Sequence, residues 1–156
     1  MKKLMVLAMV ALMSTTMAMA QKDKSFNWAV EGGIGSEIEL GGRIQKNFNQ
    51  YLAWDVVNLK YAFDYTGANA HEWELTTGLR GFSPSFGPNL KAFAAIDLGY
   101  GGLKATESGC DAVHCFALDF TVGLQVYKGL YLGYGFGGLF NDGSHKDHLL
   151  RIGWMF

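Results

Sequence analysis

Two pairs of acidic residues in this chain stand at a spacing that acid–base chemistry can use. Glu37 and Glu39 form one pair, and Glu72 and Glu74 form the other. Two carboxyl groups held close together can act as a general acid and a general base. A spacing of two residues, however, is also what any β-strand produces when its polar face carries acids. We therefore predict no catalytic residue from these pairs.

The chain contains two cysteines, Cys110 and Cys115. In an oxidising compartment, two cysteines this close in sequence are expected to form a disulfide that stiffens the segment between them. Two free thiols are the alternative, because the bond needs a geometry that spacing alone does not fix. We predict the Cys110–Cys115 bridge.

The histidines lie close in sequence to several acids. They are His71, His114, His145 and His148, with Asp111, Asp142 and Asp147 nearby. Such groups can bind a divalent metal where they converge, but polar residues on wet loops give the same composition. Ser144 beside His145 is equally weak evidence for a nucleophile and its base. Gly32, Gly33 and Gly35 lie on a predicted strand with no helix after it, which argues against a phosphate-binding loop. We predict no metal ligand and no cofactor.

Composition indicates a folded, exported chain. Its 156 residues are 49% hydrophobic, 14% aromatic and only 17% charged, which is unlike a disordered protein. A net charge of −1 gives no electrostatic reason to expect nucleic acid as a partner. Residues 1–20 have a basic start, an apolar stretch and the small-residue motif Ala18-Met19-Ala20, as a cleaved signal peptide does. A membrane anchor is the alternative, but the stretch is short for a span. We predict a signal peptide over 1–20 and a single domain over 21–156.

From Phe26 onward, apolar residues recur at every second position, which is the period of a β-strand. Eight segments show this alternation. In the third segment the apolar phase shifts by one residue, from Leu52, Trp54 and Val56 to Val57, which predicts a β-bulge at Val56–Val57. Eight short strands without a helical segment predict an all-β, antiparallel up-and-down barrel, in which closure removes both sheet edges.

The two faces of the predicted strands indicate which solvent surrounds the barrel. A soluble ligand-binding barrel would present its polar face to water, and that face would be rich in Lys and Glu. Here the mixed face holds many small residues, including Gly123, Gly133 and Gly135, which suits a narrow interior. The other face is apolar and uncharged, as a lipid-facing surface must be. Large aromatics near the predicted strand ends fit the headgroup regions of a bilayer. We predict a transmembrane β-barrel.

The charged residues of the mixed face are then expected inside the barrel. An eight-stranded barrel is only wide enough for its own side chains, so buried charges there must pair or be hydrated. This favours an ion-paired interior that plugs the lumen; a narrow cation-preferring pore is the alternative, because acids exceed bases. The predicted interior charges are Glu31, Glu37, Glu39, Arg43, Lys60, Asp64, Glu72, Glu74, Arg80, Lys91, Asp97, Asp119 and Arg151.

The last predicted strand carries a family resemblance. Leu150, Ile152, Trp154 and Phe156 alternate up to a final phenylalanine, and this pattern resembles the closing strand of bacterial outer-membrane barrels. With the signal peptide and eight strands, the mature chain is similar to small OmpX-like and OmpA-transmembrane-type barrels. The resemblance implies an outer-membrane location, with outer-membrane lipid around a monomer, and recognition of these four residues by the barrel-assembly machinery.

The resemblance also implies an orientation and a range of roles. Both termini would face the periplasm, and the segments near Gly35–Ser36 and within 64–70, 101–114 and 140–147 would face outward. Roles in the family include adhesion, surface protection, membrane structure, small pores and a few lipid-modifying enzymes. No motif around Ser144 and His145 matches those enzymes. We therefore expect a non-enzymatic protein with a structural or surface-interaction role and an unknown surface partner.

Overall fold

A computed structural model describes residues 26–63, 70–88, 90–105, 113–127, 129–140 and 145–156. The predicted signal peptide and Asp64 lie outside these residues. The described strands are β1 (Phe26–Gly35), β2 (Ile38–Asn47), β3 (Leu52–Phe63), β4 (Ala70–Phe82), β5 (Lys91–Ala105), β6 (Val113–Tyr127), β7 (Leu130–Phe140) and β8 (His145–Met155). Within the described part of the chain, no helix is long and apolar enough to cross a membrane.

The strands form one closed ring in chain order, and every neighbouring pair is antiparallel. β1 closes the ring by pairing with β8, for example at Gly33 opposite Arg151. The predicted all-β, up-and-down barrel of eight strands is therefore confirmed. We call the end where β1 begins and β8 ends the terminal end, and the opposite end, reached by Gly35 and Ile38, the loop end.

Alternation along each strand separates the two faces of the sheet. In β8, Leu150, Ile152 and Trp154 are 64%, 55% and 39% exposed, whereas Arg151 and Gly153 between them are buried. The other strands repeat this arrangement, because successive side chains of a strand point to opposite faces. The result is an apolar exterior and a charged interior, the reverse of a soluble protein.

The predicted bulge is present in β3. Val57 pairs with Ile44 and Asp55 with the next residue, Gln45, so Val56 is the extra residue on this side. On the other side the register shifts between Asp55 and Asn58. Thr77 of β4 fills the gap, since its hydroxyl donates to the Asp55 carbonyl at 2.9 Å and accepts from Trp54 Nε1 at 2.9 Å.

Three strands extend further than the alternation predicted. β5 continues to Ala105 and β6 begins at Val113, so much of the segment 101–114, which we expected to be a loop, belongs to the sheet. β8 similarly begins at His145. Alternation did not predict the extension of β5, because Gly99, Gly101 and Gly102 interrupt the apolar pattern. They do not interrupt the backbone pairing.

The bulge makes a testable prediction about deletions. Removing Val56 should leave Trp54 outward and Asp55 inward. Val56 is the extra residue of the bulge, so the residues on both sides of it keep their faces when it is deleted. Removing Leu59 from the regular part of the same strand should turn one half of β3 over and expose Lys60 or Asp55 to lipid, at a cost of about 2–4 kcal/mol for a lysine. Heat-modifiable mobility on unboiled gels should show a folded barrel for the Val56 deletion and none for the Leu59 deletion. Equal folding of both would show that the bulge does not set the register.

Candidate functional site in the barrel interior

Every Asp and Glu in the described part of the chain is buried inside the barrel. Four basic side chains lie there with them: Arg43, Lys60, Arg80 and Arg151. Sequence alternation explains this placement, since all these residues occupy the inward positions of their strands. The buried acids are Glu31, Glu37, Glu39, Asp55, Glu72, Glu74, Asp97, Asp119 and Asp147.

Arg151 is the centre of the interior network. Its Nε and Nη2 donate to the two oxygens of Glu39, each at 2.9 Å. Its Nη1 donates to Asp119 Oδ1 at 2.9 Å and to Thr121 Oγ1 at 2.7 Å. Lys60 contacts Asp119 as well and lies 3.4 Å from Glu74 Oε2. Asp119 is thus shared by two cations, which ties β2, β3, β6 and β8 together across the lumen.

A second group of ion pairs lies toward the terminal end. Arg43 Nη1 is 3.1 Å from Glu31 Oε2, and Arg80 Nε donates to Asp55 Oδ2 at 3.0 Å. Tyr131 donates its hydroxyl to Glu31 at 2.6 Å. The guanidinium of Arg43 stacks on the Tyr131 ring, 5.1 Å from its centroid. The pocket that Arg43, Arg80 and Tyr131 line has no room for a water molecule.

The loop end of the lumen has a different character. Carboxylate oxygens of Glu37, Glu72 and Asp147 lie within 4.8 Å of one another. Ser36 donates its hydroxyl to Asp147 Oδ1 at 3.2 Å. These acids line a cavity with a free volume of about 10 Å³, room for about one water molecule. Carboxylate oxygens are ligands that hard divalent cations prefer, so these three side chains have the chemistry to hold one.

Several interior atoms have no hydrogen-bond partner among the described residues. They include Asp97 Oδ1, Asn58 Oδ1, Gln45 Oε1 and Arg43 Nη2. Asp97 also stands opposite Asp119 in the β5–β6 register, so like charges face each other there. The interior is therefore polar throughout, but its hydrogen bonding is uneven. The most complete set of hydrogen bonds surrounds Arg151.

The structure buries eleven of the thirteen predicted interior charges in the lumen. Lys91 is only half-buried, at the terminal end, and makes no ion pair with any described residue. Asp64 lies outside the described residues. Sequence alternation did not predict Asp55 inside, because the phase shift at the bulge obscured its face. It also missed Asp147, although counting back from Arg151 in steps of two places it inside.

Several solved structures are similar to this barrel. The N-terminal barrel domain of Pseudomonas aeruginosa OprF aligns with 84% of this chain and 96% of its own, at 12% identity and a TM-score of 0.60. Neisserial surface protein A aligns with 83% and 92%, at 12% identity and a TM-score of 0.64. Yersinia pestis Ail aligns with 84% and 98%, at 12% identity and a TM-score of 0.52. The fold is that of the small outer-membrane barrels. No protein-family model and no curated protein matches the chain.

The closing strand of this outer-membrane-barrel fold carries the four residues of the predicted assembly signal. Leu150, Ile152 and Trp154 project outward from the barrel. Phe156 continues past the end of β8, and its backbone N–H donates to the Trp28 carbonyl of β1 at 2.7 Å. This hydrogen bond therefore adds to the pairing between β8 and β1 that closes the barrel.

The structure does not test the predicted disulfide, but it places three of the four histidines. Cys115 is buried with a free thiol, and Cys110 lies outside the described residues, so the bridge stays a prediction. His148 and Asp147 do not converge, because His148 is exposed on the outer face and Asp147 is buried inside. His71 and His114 also face outward. The side chain of His145, and Asp111, Asp142 and Ser144, lie outside the part described.

Arg151 provides a direct test of the interior network. Replacing Arg151 with Leu should lower the free energy of unfolding by about 3–5 kcal/mol, because Glu39 and part of the charge on Asp119 are left buried without a partner. The Lys91→Leu variant is the control and should change it by about 0.5 kcal/mol, since no described acid pairs with Lys91. Urea unfolding of the refolded barrel in micelles measures both. Similar losses for the two variants would contradict a central role for Arg151.

Proposed function

We propose that this chain is an integral outer-membrane barrel with an ion-paired, closed interior, and that its role is structural or surface-interactive rather than enzymatic. The observation that carries the proposal is the separation of charge: the described acids are all inside, while the strands expose apolar side chains outward.

The exterior supports a lipid environment. Large apolar side chains such as Leu59, Ile96 and Leu132 are about half exposed on the middle of the barrel wall, at 51%, 48% and 48%. A water-soluble protein rarely exposes so continuous an apolar surface, whereas a bilayer requires one. Among structures with the same fold, that of Ail was obtained in a phospholipid bilayer nanodisc.

The interior supports a closed lumen. Arg151, Glu39, Asp119 and Lys60 meet across its middle, and Arg43 stacks on Tyr131 nearer the terminal end. An eight-stranded barrel has no width to spare around such side chains. The cavity at the loop end holds about one water molecule, which is too little space for a hydrated path for ions.

The same closed interior supports a non-enzymatic role. The acid pairs Glu37/Glu39 and Glu72/Glu74 face the lumen, where Glu39 and Glu74 are engaged by Arg151 and Lys60. A lipid or peptide substrate does not fit a space of this size. Acid–base chemistry by these pairs would therefore need the lumen to open first.

Conductance of the refolded barrel in a planar bilayer tests the closed lumen. The wild type should show no discrete current steps, since the ion pairs around Arg151 block the cross-section. Replacing Arg151 and Glu39 together with Ser should produce steps, because both partners of one pair are removed and a gap opens without leaving Glu39 unpaired. A folded barrel, shown by heat-modifiable mobility, and a silent Lys91→Ser variant complete the comparison.

The rival function is a narrow cation-preferring pore, and the acid excess at Glu37, Glu72 and Asp147 is the observation that favours it. Reproducible wild-type steps with a cation preference that falls in a Glu37→Gln, Glu72→Gln variant would replace the closed-lumen proposal with this pore.

We also propose that the barrel-assembly machinery reads the closing strand. Replacing Phe156 with Ala should reduce the fraction of folded barrel found in cell membranes, while refolding in micelles changes little, because the backbone hydrogen bond to Trp28 is retained. Phe86→Ala, which alters a phenylalanine that is 66% exposed in the β4–β5 connection, is the matched control. Equal defects in cells and in micelles would point to a structural role of Phe156 instead.

A further inference from the structure

One patch on the outer face at the loop end combines basic groups with stacked aromatic rings. We call it the rim patch. Its residues are adjacent across four strands: Phe63 pairs with His71, His71 with Lys104, and Gly102 with His114. The rim patch consists of Phe63, His71, Trp73, Tyr100, Lys104 and His114.

Ring contacts hold the rim patch in a fixed arrangement. His114 stacks on Tyr100, with centroids 5.5 Å apart and planes at 11°. Trp73 meets the edges of both rings, at 5.8 Å from Tyr100 and 6.4 Å from His114. Trp73 lies flat over Gly102, where a Cβ atom would come within 2.8 Å of the indole nitrogen. The glycine therefore makes room for an aromatic platform that spans β4 to β6.

Lys104 carries the charge of the rim patch, and the described residues of the outer face include no acidic side chain. Lys104 is exposed, and its register neighbour His71 carries a second nitrogen base. All described carboxylates lie inside the barrel, on the other side of the wall. The exposed Lys104 ammonium beside the His71 imidazole, on a surface whose described residues include no acidic side chain, is complementary to an anion.

The surface directly below the rim patch is apolar. Leu75, Leu98 and Phe116 continue down the same strands and are 49%, 46% and 50% exposed. An anionic ligand here would thus have its charge beside Lys104 and an apolar body along the strands. A membrane lipid has this division of charge and chain, with its phosphate at the depth where aromatic side chains prefer to lie.

We propose that the rim patch binds the phosphate of a membrane lipid, with Lys104, His71 and His114 around the phosphate and the acyl chain along Trp73 and the apolar wall. The proposal rests on the insertion of the barrel into lipid proposed above. It concerns one site on one side of the barrel and not the general wetting of the wall by lipid.

The first test measures lipid retention. The full chain is refolded in phosphatidylcholine vesicles containing a minor share of phosphatidic acid, extracted, and examined by native mass spectrometry for bound lipid. Wild-type barrel should retain phosphatidic acid in preference to phosphatidylcholine. The Lys104→Gln, His71→Gln variant should retain about fivefold less, as expected from losing one lysine near lipid phosphate. Lys46→Gln is the matched control, because Lys46 lies on the outer face near the other rim, above the Phe26 ring.

Two results would contradict the proposed lipid-phosphate site. Equal loss in the Lys46→Gln control would mean that any outer-face lysine serves, and unchanged retention in the double variant would mean that the rim patch does not bind. Retention that added inorganic phosphate abolishes would assign the site to the free anion instead of lipid. Folding is read separately from heat-modifiable mobility, so a barrel that never inserts contradicts the proposed function, whereas an inserted barrel without lipid preference contradicts only this site.

Trp73 allows a second test that needs no change to the basic residues. Trp28, Trp54 and Trp154 lie toward the terminal end, so Trp73 is the tryptophan at the loop end. Phosphatidic acid with brominated chains should quench fluorescence more than the same amount of brominated phosphatidylcholine. This excess should vanish in the Trp73→Phe variant. Equal quenching by the two lipids in the wild type would contradict the proposal.

Discussion

Closure of the strand ring is the constraint from which the other features of this barrel follow. Once β1 pairs with β8, every strand has two neighbours, and no edge is left to hydrogen-bond with water. Each side chain must then point either into a narrow lumen or out to the surroundings. Charges on the outside would be costly in lipid, so they collect inside. There they need partners, and Arg151 with Glu39 and Asp119 supplies the best of them.

Side-chain size is coupled across the lumen for the same reason. Arg151 reaches its partners because Gly135 leaves a space, where a Cβ atom would come within 2.5 Å of the guanidinium. Tyr131 lies against Gly153 in the same way and so reaches Glu31. The glycines on the inner face of β7 and β8 thus have a packing function. A larger residue at Gly135 would displace the arginine that neutralises Glu39.

Sequence alternation predicted the faces of the strands, the barrel and the bulge, because each depends on a period of two that is local along the chain. It could not predict the partners of the interior charges. Arg151 and Glu39 are 112 residues apart, and their contact depends on the curvature of the closed ring. Asp55 was missed beside the bulge, where the local period breaks. Asp147 was missed because the segment 140–147 was expected to be an outward-facing loop, although its inward position follows from the phase of Arg151.

The separation of charge also bears on where this barrel interacts with other molecules. The acids are enclosed, and the space among them admits about one water molecule, so a large ligand cannot reach most of them. The outer wall is apolar, and its described charges, Lys46 and Lys104, are basic and lie near opposite rims. The described wall therefore offers charge only near its two ends, and we expect contacts that distinguish one partner from another to form there. At the loop end, acids line the mouth of the lumen while Lys104 faces outward, so the same rim presents opposite charge to an ion approaching the lumen and to a lipid beside the wall.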